Sequence, residues 1–346
     1  MSKFTVKFTL KQHTPIIHFQ SEQNGATLRA TELKPKFDRF LKEYAFTGEI
    51  PEEFLIAKDK EALDYKVKIY NKSNKVSTPK AYVNPEKETD KTAYQAPYFA
   101  DASKSILANN EISIEFFTFN TELKKLIERY KDRFFVYENF GTRQNKGFGS
   151  FLRSDITNDE ITKILQNHKN QVFTLGSYNN YKDAFKKIDT FYKKLKMGIN
   201  KPYFKSLLFR YMCDTYNIGW EKKFIKKYFP EVIHGDHEPI ICSDDKEYRY
   251  IRAVLGLAEH NEFRPKSGKK QIKIKSLDKS IERFKSPITF KLLNKQIYLL
   301  FNDSYKKILD KEFSFNGKMI KTPKDFDLYE FLKFVEKQED LIHEVR

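Results

Sequence analysis

Ile112-Ser113-Ile114-Glu115-Phe116, the segment Thr121 to Asp132, and Phe134-Phe135-Val136-Tyr137 follow one another with two changes of hydrophobic period. In the first, apolar residues alternate with polar ones, the spacing of a strand with one buried face. In the second, Leu123, Leu126, Ile127 and Tyr130 recur at helical spacing and share one face. The third is a short run of strand-favouring residues. Together they predict a β-α-β unit.

Working outward, Phe4-Thr5-Val6-Lys7-Phe8-Thr9-Leu10 alternates strictly and reads as a half-buried strand ended by Thr14-Pro15. After Asn24-Gly25, the residues Leu33, Phe37, Phe40, Leu41 and Tyr44 mark a helix whose first turn accepts Pro35. Leu63, Tyr65, Val67 and Ile69 alternate with charged residues, which predicts another strand. Residues 71–105 are polar and proline-bearing and read as a long loop or insertion. The order is β, α, β, insertion, β, α, β, the split β-α-β plan of ferredoxin-like folds and of the RRM.

Towards the C-terminus, Thr157-Asn158-Asp159-Glu160 is a capping box opening a second set of elements. A strand is expected at 171–175 and a helix at 180–196, with Ala184, Ile188, Phe191 and Leu195 on one stripe. Residues 201–230 read as mainly helical and hold the only tryptophan, Trp220. Residues 264–276 are strongly basic. Strands Ile288–Leu292 and Gln296–Phe301 bracket Asn294-Lys295 as a hairpin, and a last helix is expected over 326–344. The expected fold class is α+β: two ferredoxin-like, RRM-like domains with helical insertions, residues 1–155 and 156–346.

The charge balance selects among partners. Sixty-four Lys and Arg face 47 Asp and Glu, a formal charge of +17. That field attracts polyanions, and the cations are spread along the chain, as on a charged face of a folded body. No apolar run approaches the roughly 18 residues of a spanning helix, so a cytoplasmic protein that does not engage membranes is expected. The two cysteines, Cys213 and Cys242, form no CxxC pair, and Cys213 reads as a buried thiol.

Gly141-Thr142-Arg143-Gln144-Asn145-Lys146-Gly147-Phe148-Gly149-Ser150 interleaves three glycines with two cations and one aromatic ring. Gly141, Gly147 and Gly149 admit close backbone approach, Arg143 and Lys146 supply positive charge, and Phe148 offers a face for a base. The spacing fits neither mononucleotide nor dinucleotide fingerprints. Arg29, Lys34 and Arg39 flank the start of the first helix, where free N–H groups already favour phosphate. These nine residues are the candidate RNA-binding set. His234, His237, Cys242, Asp244 and Asp245 offer ligand types, but their spacing matches no zinc pattern. His13 and His18 suit acid–base chemistry by type alone. No catalytic residue, metal, cofactor or small-molecule substrate is expected.

Several segments together resemble the RAMP superfamily of CRISPR effector proteins. Thr14-Pro15-Ile16-Ile17-His18 is similar to the Thr-Pro-Leu-His that follows the first strand there, with one residue inserted. Leu28 to Phe40 resembles the segment introducing the first helix, and Gly141 to Ser150 resembles the Gly-rich loop. Arg252-Ala253-Val254-Leu255-Gly256-Leu257 and Arg283-Phe284-Lys285-Ser286-Pro287-Ile288 resemble the later Arg-x-x-Leu-Gly-Leu and Arg-Phe-x-Ser-Pro patterns. Length and loop position are most similar to the first RAMP subunits of Cmr (type III-B) complexes. The resemblance implies a non-catalytic subunit of a ribonucleoprotein that holds guide RNA and target RNA beside other CRISPR subunits. The alternatives are a metal-independent endoribonuclease using a histidine, and a basic adaptor docking acidic protein partners.

Overall fold

The computed structural model describes residues 3–17, 27–71, 76–77, 81–82, 94–95, 105–108, 111–229, 247–257, 261–263, 272–278, 280–281 and 283–345. The first sheet is made of β1 (Thr5–Gln12), β2 (Lys66–Asn71), β3 (Ile112–Phe117) and β4 (Phe151–Arg153), ordered β2-β3-β1-β4 with every pairing antiparallel. Helix α1 (Ala30–Tyr44) lies between β1 and β2 in the chain, and α2 (Thr121–Tyr137) between β3 and β4. This is the ferredoxin-like arrangement. Both helices cover one face of the sheet: Phe37 of α1 meets Phe116 of β3 at 5.4 Å and Phe134 of α2 at 4.8 Å. The Asn120 side chain caps α2 by accepting from the N–H groups of Glu122 and Leu123.

One expected strand is corrected. Phe134, Phe135, Val136 and Tyr137 form the last turn of α2, and the fourth strand comes later, at Phe151–Arg153. All four side chains are buried, so that turn is apolar on every side and loses its helical period.

The predicted capping box is present. Thr157 and Glu160 bond reciprocally and open α3 (Asn158–Gln166). Then come β5 (Phe173–Ser177), α4 (Tyr181–Lys196), α5 (Leu207–Tyr216), α6 (Glu221–Tyr228), β6 (Ile288–Leu293), β7 (Gln296–Phe301), α7 (Leu328–Glu339) and β8 (His343–Glu344). Strand order β6-β7-β5-β8 repeats the topology of the first sheet, with α5 and α6 inside the α4-to-β6 connection. Asn294 and Lys295 both have positive φ, 42° and 65°, as a two-residue hairpin turn requires. A further antiparallel sheet joins 261–263, 272–276, 312–315 and 318–321. The fold is α+β, as expected.

By packing, the chain divides into two units. One comprises Met1–Asp189, Thr289–Leu300 and Glu344–Arg346; the other comprises Thr190–Ile288 and Phe301–His343. In the second, the two later motifs lie side by side: Leu257 and Phe284 pair through N–H···O bonds of 2.8 and 3.3 Å. Gly256, at φ +106°, lies where a Cβ would stand 2.9 Å from the Ser286 nitrogen. Cys213 is buried in α5 as expected, but it is disulfide-bonded, which corrects its reading as a free thiol. A covalent partner leaves no mark on the apolar pattern of one helix. His18, most of 71–105, the cluster His234 to Asp245 and residues 264–271 lie outside the described residues. No helix among the described residues is long and apolar enough to cross a membrane.

Candidate nucleic-acid interface

The Gly-rich loop is sewn to the turn after β1. Thr14 is the thread: its hydroxyl donates to the Gly147 carbonyl at 2.7 Å and accepts from the Ser150 N–H at 2.9 Å. The Gly149 N–H donates to Pro15 O at 2.8 Å, and the Thr142 N–H to Ile17 O at 2.7 Å. Phe140 closes the loop's base by donating to Gly149 O at 2.9 Å. The Thr-Pro segment and the Gly-rich loop are therefore one structural device.

The first turns of α1 hold the loop from its other side. Glu32 accepts from the Gly141 N–H at 2.6 Å. Lys36 donates to Asn139 O and, at 2.8 Å, to Gln144 Oε1, while pairing with Glu138 at 2.7 Å. Asn139 in turn donates its amide to Gln144 O and Phe290 O, both at 2.8 Å. Below it, the fully buried Lys291 donates to Glu138 O, and burial drives its pKa well below the usual lysine range.

The glycines are needed for contacts within the chain. A Cβ on Gly141 would stand 2.5 Å from Ile17 O, one on Gly147 2.5 Å from Leu292 Cδ1, and one on Gly149 1.9 Å from Phe140 O. Phe148 faces inward, fully buried and stacked on Phe185 at 4.3 Å, so neither face is open to a base. Its role as a stacking residue is corrected to that of an anchor, because the apolar side of the loop turns towards α4.

Of the cations, Lys34 is occupied locally. Its ammonium donates to Asp38 at 3.0 Å and Leu63 O at 2.8 Å and sits 4.2 Å from the centre of the Tyr65 ring. Arg29 stands at the N-cap of α1 with extended backbone, and no side-chain cap bond satisfies the helix start there. Arg39 is exposed and follows Glu32 and Lys36 at helical spacing, on the face that reaches the loop. Arg143 occupies the left-handed region at φ 57°, which aims the chain into the short turn Gln144–Lys146. Arg29 thus stands at the start of α1 and Arg143 and Lys146 in the loop that α1 braces, with the Lys146 Nζ and Arg143 Nη1 buried there, whereas Arg39 lies past the middle of the helix. Glu32, Gln144, Asn139 and Lys291 were missed as positioning residues. Lys291 had no signal at all, being a charged residue inside an apolar strand.

His13 belongs to the same seam, its N–H donating to Ser150 O at 2.8 Å. Burial first, then the charges of Lys291 and Lys11, push its imidazole down to about 4. Between that value and the ordinary 6.5, the unfolded chain binds the extra proton, so stability falls with decreasing pH. The contribution is fully present above about pH 6.5 and lost towards pH 4, about 3 kcal/mol in all. His13→Gln should flatten the urea-unfolding profile across that window. Unchanged acid sensitivity would place the titrating group elsewhere.

Two family models match the chain: the Cmr1 N-terminal domain over residues 3–199 and the Cmr1 C-terminal domain over residues 203–345. No curated protein matches it. Together the two models cover nearly every residue, including both sides of the seam between the Thr-Pro turn and the Gly-rich loop. The chain belongs to the Cmr1 family of RAMP proteins, subunits of the Cmr complex of type III-B CRISPR systems.

Proposed function

We propose that this chain is a non-catalytic RNA-binding subunit that grips the backbone of guide and target RNA with the cations around α1 and the Gly-rich loop. The observation that carries this reading is the bracing of the loop from two sides, by Thr14 and by Glu32 with Lys36. A rigid loop beside the Arg29 end of α1 holds its backbone ready for phosphate, and Arg143 and Lys146 meet it by turning their buried charged ends outward. Arg39 extends the positive strip along the helix. Base pairing of the guide supplies sequence specificity, so backbone contacts suffice. The partners are the guide RNA, the target RNA and the other Cmr subunits. The proposed domain division near residue 155 follows the end of β4 and the capping box of α3.

The depressed imidazole of His13 supports a binding role over an RNA-cleaving one. At neutral pH it is uncharged and lacks the imidazolium form that a general acid would use to protonate a leaving group.

The test is a salt titration of binding to a 5′-labelled RNA of about 40 nucleotides in EDTA, with the RNA recovered on a denaturing gel. Each phosphate contact contributes a slope of roughly −0.7 in log K against log salt. Replacing Arg39, Arg143 and Lys146 by Ala is expected to reduce that slope by roughly 2 and leave the RNA intact. Cleaved RNA would overturn the non-catalytic reading, and an unchanged slope would move the interface elsewhere.

A further inference from the structure

The first sheet has a second face, turned away from α1 and α2. The register places Thr5, Phe117 and Lys66 in one row across it, Lys7, Glu115 and Lys68 in the next, and Thr9, Ser113 and Tyr70 in a third. Lys7, Lys66, Lys68 and Tyr70 are exposed. Glu115 is the one carboxylate in these rows and reaches Lys7 at 3.7 Å, while Lys66 and Lys68 have no ion pair among the described residues. Just past β3, Phe119 is 71% exposed and meets the rings of Phe4 and Phe117 at 5.3 and 4.9 Å. At the β4 edge the same face is closed, since Leu152, opposite Lys11, is fully buried. Between β1 and β2 the face is exposed at Lys7, Lys66, Lys68 and Tyr70, while Ser113 in the third row is buried.

We infer that this open face is a docking surface for single-stranded RNA, with Tyr70 and Phe119 stacking on bases and Lys7, Lys66 and Lys68 meeting phosphates. A protein partner fits poorly, because lysine is depleted from the cores of protein interfaces and here it supplies the middle rows. Single-stranded RNA matches the chemistry: it is anionic, and its unstacked bases present flat faces to aromatic rings. The rows of Phe117 and Tyr70 lie four residues apart along β3, about 13 Å, room for two or three nucleotides. A duplex keeps its bases stacked inside and would reach the lysines alone. The inference rests on the reading of the chain as an RNA-binding subunit but uses a surface of its own. It lies on the sheet face, whereas the Gly-rich loop is joined to the turn after β1.

The test uses the whole chain with an oligouridine of about 15 nucleotides and an RNA duplex of the same length. Tyr70→Ala and Phe119→Ala should each weaken single-strand binding by about 5- to 150-fold and leave duplex binding unchanged. Lys7→Ala, Lys66→Ala and Lys68→Ala together should lower the single-strand salt slope by roughly 2. All five side chains are exposed, so their replacement leaves the core intact. Arg143→Ala serves as the separate arm. If it weakens binding while the five sheet variants bind oligouridine like the parent, the inference is overturned and the loop reading stands. If the parent binds neither RNA, both fall. Sheet variants that keep RNA affinity but lose association with other Cmr subunits would make the face a protein interface and overturn the inference.

Discussion

Gly149→Ala is expected to destabilise the first unit by about 3–5 kcal/mol and to lower its melting temperature by roughly 10 °C. Two costs add. At φ +68° an L-residue is strained, and the new Cβ would stand 1.9 Å from Phe140 O, with Phe140 C at 2.7 Å and N at 2.9 Å. Backbone cannot step aside as a side-chain end can, because the same carbonyl-to-amide closure holds Phe140 to Gly149. Gly317 provides the control: its φ is +87°, but nothing lies within 4 Å of an added Cβ. Gly317→Ala should therefore cost only about 1 kcal/mol. Equal melting shifts for the two variants would show that conformational strain, not the seam, sets the requirement for glycine.

The second large effect is expected from pH. Lys196 donates to Gly256 O beside Arg252, which forms an ion pair with the fully buried Glu221. Burial first, then the neighbouring Arg252, push the Lys196 ammonium down to about 7, with Glu221 opposing. Its folded value lies below the unfolded 10.5, so between the two the unfolded chain binds more protons and stability rises with pH. From pH 7 to pH 10 the gain from Lys196 is on the order of 4 kcal/mol. Lys196→Met should raise stability at pH 7, since it relieves a buried like-charge contact, and should flatten the alkaline rise. Parallel profiles for parent and variant, followed by urea unfolding at each pH, would rule this out.

The elements with one wet face were legible, and the enclosed end of α2 was not. Strand β1 and helix α1 each keep one wet face, so Val6, Leu10, Phe37 and Phe40 declare their period. The end of α2 is enclosed, and its run of aromatics reads as a strand. The hairpin was legible because Asn294-Lys295 is a turn pair between apolar runs. The ferredoxin-like order of the second sheet was harder to trace, because α5 and α6 separate its first strand from the next. At the candidate site, the glycines signalled close approach correctly in kind. What approaches them, Ile17 O, Leu292 and Phe140 O, comes from chain neighbours near and far, which spacing cannot name. Phe148 was chosen by residue type and Lys34 by its place near the start of α1, and their partners Phe185 and Asp38 had already claimed them.

The second sheet also imposes a timetable on synthesis. β5 pairs with β7, yet Ser177 leaves the ribosome more than a hundred residues before Gln296 does. At roughly 5–20 residues per second, the edge of β5 waits about 5–25 s for its neighbour. Meanwhile the first sheet, complete by Arg153, can already form. The growing chain thus carries a finished sheet and an unpaired strand together, and that interval is when a nascent partner or chaperone has most to shield.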